Sequence, residues 1–487
     1  MLNMKKLLTI AVICFAFNLG FGRSNVDSLN AQFNRFDKLI GVLREFRIQT
    51  YIQAEWQKAD TAGVVSYAGG NFPAGANNRF LLRRGRFHLT WQHETVTKSG
   101  DTVRVGEFAF NFDATEKGFD AIKAFYGKIT DPWTGWFSLQ GGIFVRPFGY
   151  EQTPSSATME SPEYSRMNQI LLPNEVELGE AVVIESPRTF KPVYFRFDVA
   201  AVNGEGVLNT GVGQSNINTG AYQSAKDFMA RIVIDKVFNL GGGTKIALNA
   251  GGSYYNGRVL QTTNNVYEVV KSSAGAESFK NITAGTTDTA GKFKTYYNRD
   301  YYGAYLHLNF DYKIAGSFSG TTMLRGEFMS GQQPGQQSSS VIPLGAGTLA
   351  PGVDLYMRRF EGFIAYLTQS FHYKAGKQLM HSDLTFKFDM YDPNTRINGS
   401  SLSKSTGFST TDLVYSTFGF GYTWCPVPYF KLVIWYDHVM NESSGITGWT
   451  SDYKKDDVFT LRTQFMIDTW WFDSKSTNNS NQIMRLY

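Results

Sequence analysis

The chain has 487 residues and two cysteines, Cys14 and Cys425. Nothing after the first twenty-odd residues approaches the ~18–20 continuous apolar residues of a membrane-spanning helix. Charge of one sign is lacking too, with 47 basic residues against 42 acidic. Each absence excludes a class. Scarce cysteine excludes a disulfide-stapled secreted domain. The missing apolar run excludes a helical membrane bundle. Balanced charge without a long basic run gives no footprint for nucleic acid. No shift in composition marks a linker between domains, although a soluble chain of this length would hold two to four.

What is present begins at the N-terminus. Lys5 and Lys6 precede an apolar stretch from Leu7 to Phe17 and small residues from Gly20 to Gly22. This is the pattern of a secretory signal peptide over residues 1–22, cleaved near Gly22. Ile13 before Cys14 is not the small residue a lipidation site needs. Cleavage leaves Cys425 alone, which excludes an intramolecular disulfide, and leaves 45 basic against 42 acidic residues, a formal +3.

From about residue 43 the pattern is alternation. Phe87, Leu89 and Trp91 point one way, and Arg84, Arg86, His88 and Thr90 the other. Phe108, Phe110 and Phe112 oppose Glu107, Asn111 and Asp113; Phe195 and Phe197 oppose Arg196 and Asp198. Period two means strands with one apolar and one polar face. The alternation predicts sixteen strands: 46–56, 80–94, 103–114, 120–129, 135–146, 177–185, 193–203, 226–239, 243–255, 299–314, 318–330, 357–373, 381–391, 411–424, 428–440 and 456–467. Each has the length of a tilted membrane strand. Short links alternate with long ones, as they do between the two ends of a membrane barrel. Aromatics make up 15% of the chain, and Trp133, Trp136, Trp424 and Tyr429 flank short links, where rings at headgroup depth belong.

The fold class expected is therefore all-β: a transmembrane antiparallel up-and-down β-barrel of about 16 strands. The expected divisions are a signal peptide (1–22), a periplasmic N-terminal arm (23–45), the barrel (46–467) and a C-terminal tail (468–487). The arm carries Leu29, Phe33, Phe36, Leu39 and Ile40 at helical spacing. Sixteen strands enclose an aqueous channel unless a loop fills it, and the ~22 strands of a plugged receptor are out of reach.

Arg83-Arg84-Gly85-Arg86 and the run Val145-Arg146-Pro147-Phe148-Gly149-Tyr150-Glu151-Gln152-Thr153-Pro154 resemble the phosphate-selective porin O and P family. Leu324 to Phe328, Phe388 to Asn394 and Thr460 to Phe465 look like the large uncharacterised branch of that family, so the resemblance spans nearly the whole mature chain. It implies a sixteen-stranded outer-membrane barrel of a Gram-negative bacterium, a homotrimer, and a third outer loop inside the lumen. It does not carry phosphate selectivity over, because the family's central lysine cluster is missing.

Strand parity assigns the pore lining without the family. The inward basic candidates are Arg84, Arg86, Arg146, Arg196, Arg231, Arg325, Lys387 and Arg462. The inward acids are Glu107, Asp113, Asp198, Asp227, Asp235, Glu327 and Asp389. The signs nearly cancel. The preference for arginine, a rigid fork suited to oxyanions, gives the expectation of a weak anion preference, against the plainer reading that these arginines pair with nearby carboxylates. In the long link after Arg146, the candidate constriction residues are Glu151, Glu160, Glu163 and Arg166, beside Tyr150, Tyr164 and Met167.

No enzyme, metal or cofactor is expected. His88, His93, His307, His372, His381 and His438 form no H-E-x-x-H motif. Gly316 to Gly320 has the wrong spacing for a nucleophile elbow, and Gly345 to Ala350 lacks the strand–helix context of a dinucleotide loop. The function expected is passive diffusion of small hydrophilic solutes or ions through outer-membrane lipid. The alternative is a surface-exposed binding or adhesion barrel with a narrow or closed lumen.

Overall fold

The computed structural model describes residues 41–469, apart from 98–99, 101, 117–120, 188–192, 205–225, 262, 284–294, 317, 342–352, 376–377, 403–406, 445 and 447–456. The signal peptide, most of the arm, Gly345 to Ala350 and the tail beyond Thr469 lie outside the described residues.

Among the described residues there are eighteen strands, in chain order. They are β1 (Phe46–Ala59), β2 (Asn78–Val96), β3 (Thr102–Asp113), β4 (Ile122–Thr130), β5 (Phe137–Val145) and β6 (Val176–Glu185). Next come β7 (Tyr194–Val202), β8 (Asp227–Gly241), β9 (Thr244–Leu260), β10 (Val266–Lys271), β11 (Glu277–Asn281) and β12 (Tyr296–Ala315). Then come β13 (Phe318–Gly335), β14 (Leu355–Ala375), β15 (Gln378–Asp392), β16 (Tyr415–Val427), β17 (Phe430–Val439) and β18 (Val458–Asp468). Sixteen of them, β1–β9 and β12–β18, pair antiparallel, each with its neighbours in the chain. The ring closes between the first and the last, with Tyr51 opposite Met466 and Ala59 opposite Val458. Closure leaves the sixteen-strand ring without an edge, the condition for strands to cross a bilayer.

All sixteen strands read from the alternation are in the ring, including the faint one near 177–185. The hairpin β10–β11 is additional. It lies in the long link between β9 and β12, and β10 adds parallel to the start of β14, Val266 facing Leu355. Seven short connections lie at one end of the barrel and eight outer connections at the other. The outer one from 114 to 121 is short, so length alone does not mark the sides. At a short turn, Asp131 accepts from the backbone N–H groups of Trp133, Thr134, Trp136 and Phe137. Burial pushes its carboxyl up, but these donors and the Thr134 hydroxyl together outweigh that and hold it down at about 2.

The barrel is turned inside out relative to a soluble protein. Ile48, Ile52, Phe87, Phe125, Ile232, Leu306, Leu324, Leu367, Phe386, Phe420 and Ile467 are all exposed. They come from strands right round the ring, a continuous apolar belt of the kind that faces lipid tails. Trp133 (69% exposed) and Tyr429 (54%) stand at short turns at its rim. No helix among the described residues is long and apolar enough to cross a membrane; the crossing belongs to the strands. The largest apolar core lies inside, where Phe148, Met167 and Leu172 pack against Tyr255, Tyr301 and Tyr366 of the wall.

Candidate functional site

The link from β5 to β6 starts at a clasp. Arg146 follows the last residue of β5 and is closed by Glu177 at 3.0 Å and the Pro173 carbonyl at 2.7 Å. Beyond the clasp the chain meets the wall on side after side. Gly149 N–H donates to Ser253 of β9, and the N–H groups of Tyr150 and Glu151 donate to the Glu327 carboxylate of β13. Tyr51 of β1 meets Ser156 at 2.7 Å, Gln464 of β18 donates to the Ala157 carbonyl, and Lys431 of β17 to the Met159 carbonyl. Arg325 of β13 pairs with Glu160 at 3.1 Å. Tyr366 of β14 meets Ser161, and Asp389 of β15 accepts from Arg166 N–H at 2.9 Å. A segment bonded to inward side chains all round a closed ring runs across its interior.

Glu163 is the most heavily engaged residue of this segment. Its carboxylate accepts from Arg83 at 2.6 Å, Arg84 at 3.0 Å and Arg462 at 3.2 Å. Burial pushes its carboxyl up, but the three guanidiniums outweigh that and hold it well below the usual range. Glu175 at the other end of the segment is partly exposed; burial pushes its carboxyl up, yet Arg86 at 3.0 Å outweighs that and holds it down at about 2. Glu151 is bound internally, accepting from Ser165 and Asn168 and from the Tyr366 hydroxyl. This ties down the start of a short helix, α1 (Arg166–Leu171), whose N-cap is Ser165. Met167 of α1 packs on Gly362 of β14, where a Cβ would lie 2.7 Å from its sulfur. Arg166 lies over the rings of Tyr67 (3.8 Å) and Tyr415 (4.1 Å).

The eight basic residues read as inward all face the interior, and each has a carboxylate neighbour. Arg84 has Glu163; Arg86 has Asp113 and Glu175; Arg146 has Glu177. Arg196 and Arg231 share Asp198, Arg325 has Glu160, Lys387 has Asp389 at 3.6 Å, and Arg462 has Glu55. Of the other inward acids, Glu107 holds Arg104 and Tyr126, Asp227 holds Arg299, and Asp235 stands opposite Tyr194. The plainer reading of the arginines is what the geometry contains: buried ion pairs that brace wall and loop.

Several members of this network are not in the sequence reading. Glu55 was legible, since Gln53, Glu55 and Gln57 alternate with Ile52, Ala54 and Trp56. Arg83 was not. It is the extra residue of a β-bulge, where Gln53 faces Arg84 and Ala54 faces Leu82, and a bulge breaks parity. The histidines gather no site: His372 and His381 are cross-strand neighbours with ring centres 5.9 Å apart. Among the described residues no group of three His, Cys, Asp or Glu could hold a metal.

No family model matches the chain, and no curated protein matches it. Among solved structures it is similar to OprB of Pseudomonas putida (10% identity over 88% of this chain and 96% of that one, TM-score 0.46). It is also similar to an anion-selective porin from Comamonas acidovorans (9% identity, 87% and 99% covered, TM-score 0.40). OmpF of Salmonella typhi, solved with daunomycin, is a third (11% identity, 87% and 97%, TM-score 0.42). At one-tenth identity and these scores, the architecture rests on the strand pairing itself.

Proposed function

We propose that the chain is a porin of a Gram-negative outer membrane, giving passive diffusion to small hydrophilic solutes or ions through a lumen narrowed by residues 146–175. The observation that carries this reading is the combination of a closed sixteen-strand ring, an apolar outer belt and a polar, charged interior. A pore needs all three: closure satisfies the backbone, the belt suits lipid, and polar walls suit water. Glu151, Glu160, Glu163 and Arg166 form the constriction. The eight basic residues line it, but with each engaged by a carboxylate they give no ground for a strong anion preference. We place the chain in the uncharacterised branch of the phosphate-selective porin O and P family, without phosphate selectivity, and assign it no enzymatic activity.

Liposome swelling tests the reading. Proteoliposomes in isotonic glycerol or a monosaccharide should swell, faster for the smaller solute; vesicles that swell no faster than empty ones would contradict it.

The barrels associate, on this proposal, as homotrimers. Support comes from Glu180, which stands exposed on the outer face of β6 between Leu178 and Val182. It is opposite Gly141 and Ala201, at mid-strand in the apolar belt, where a bare carboxylate is unfavourable in lipid. A neighbouring barrel covering this face would supply the missing donor.

The second reading, a binding barrel with a narrow or closed lumen, is favoured by the outer loops. Arg358 and Asp412 form a fully buried pair at 2.6 Å. Val269, Leu402, Phe408, Leu413 and Ile446 join three loops into one apolar cluster. Absence of swelling together with a partner that co-purifies would move this reading to first place.

A further inference from the structure

We propose that β6 stands at the three-fold axis of the assembly, where the Glu180 carboxyls of three copies meet and hydrogen-bond one another. Resting on the trimeric reading above, this adds the face, the fit and the residue in contact. The outer face of β3–β6 is dented. Phe108, Gly127, Gly141 and Glu180 form one cross-strand row on it. A Cβ on Gly127 would meet nothing within 4 Å, and one on Gly141 only the Glu180 Cγ at 4.0 Å. Walled by Phe125, Ile143 and Leu178, the two glycines leave an apolar hollow of about 300 Å³.

Glu180 borders this hollow and is exposed. Gly141 and Ala201 lie opposite it on the adjoining strands, and Leu178 and Val182 are its outward neighbours on β6. None of the four has a side-chain donor. Lys226, two residues before Phe228 on the flank beyond, is bonded to Asn203 at 2.9 Å. A carboxyl at belt depth without a donor is costly, so whatever covers the hollow must also serve Glu180.

A second copy of this chain matches both needs. A lipid acyl chain fills the hollow but brings no donor. Rotation about the membrane normal keeps every residue at its own depth, so Glu180 of one barrel meets Glu180 of the next. Carboxyls that share a site share protons, and a protonated carboxyl both donates and accepts, so three close a ring of hydrogen bonds. Gly141 and Ala201, both small, let the three strands come close. Around such an axis the β3–β5 flank of one barrel faces the β7–β9 flank of its neighbour. That flank presents Phe228 (42% exposed) and Ile232 (46%), and Phe228 shares the row of Glu180 through Ala201. These side chains are the knobs for the hollow. The outer links leave the approach clear, since 114–121 is short and 146–175 turns into the lumen.

Disulfide trapping tests the contact. The full chain carrying Glu180→Cys is oxidised in outer membranes with copper phenanthroline, then run on heated, non-reducing gels. Cys425 is buried and stays out of the reaction. Roughly two-thirds of the chains are expected as covalent dimers, because three cysteines at one axis pair two and leave one single. Leu324→Cys, exposed on β13, is expected to stay single; equal cross-linking there means chance collision and overturns the contact. E180C chains that stay single while unheated samples run as trimers overturn the axis at β6 and leave the trimer standing, with lipid on this face. Chains that are monomeric before heating overturn the trimer and the axis together. Where E180C does not insert, Gly141→Trp fills the hollow from a position with open space before it. It must lower the temperature at which the trimer band disappears, by several degrees, and an unchanged temperature overturns the fit.

Discussion

Removing Ser155 to Ser165 is expected to raise single-channel conductance by roughly threefold or more, since a sixteen-strand barrel with no loop inside encloses an aqueous channel. The deleted stretch carries Ser156, which meets Tyr51, and Glu160 and Glu163, which hold Arg325, Arg83, Arg84 and Arg462. It crosses from β1 and β2 to β13 and β14, so its loss clears the middle of the lumen. The ring does not depend on it, because every ladder from β1 to β18 is made between strands. Planar-bilayer recording checks the prediction, with far-UV circular dichroism to confirm that the strands persist. An unchanged conductance would mean that the segment does not limit flow.

The second large effect centres on Glu163. Replacing it by alanine leaves Arg83 and Arg84 without their ion-pair partner and strips Arg462 of one of its two. Breaking a buried ion pair from one side typically costs about 3–5 kcal/mol. Arg462 retains Glu55 and Arg84 retains Gln53, so the lower part of that range is expected, read as a fall in the urea midpoint of the detergent-refolded protein.

The same residue sets a pH dependence. Its carboxyl is held well below the usual range in the folded chain, against about 4.3 for an unperturbed glutamate. A group depressed on folding contributes its full stability above the unfolded value and loses it as pH falls toward the folded one. Glu175, held at about 2, acts in the same direction. The stability that these two carboxylates contribute should therefore be constant from pH 8 to about pH 5 and be lost below about pH 4, so the midpoint gap between the wild type and Glu163→Gln should close there. A midpoint that drops between pH 8 and 5 would show that other groups dominate.

The strands were legible because a membrane barrel repeats one simple constraint along its length. Each strand must show lipid one face and water the other, so Phe108, Phe110 and Phe112 declare β3 with no knowledge of its neighbours. Parity also set the inward side of Arg84, Arg231 and Lys387, since a one-residue slip would move each to the opposite face. Parity says nothing of partners, however. That Arg84 meets Glu163, 79 residues away, depends on the path of the inward segment, which has no period to read. Arg83 escaped because a bulge shifts the register there. The fit of Met167 over Gly362 and the parallel pairing of β10 with β14 are tertiary outcomes with no local signal. The hairpin β10–β11 lies above the belt in an outer loop, beyond the reach of the lipid constraint that marks the other strands.

The central claim is that this barrel is an open conduit in spite of the segment across its lumen. Single-channel recording of the refolded full chain in planar bilayers tests it most directly. Discrete steps in groups of three, growing in proportion to salt concentration, are predicted. Barrels that insert stably and stay silent over the same range would contradict the claim.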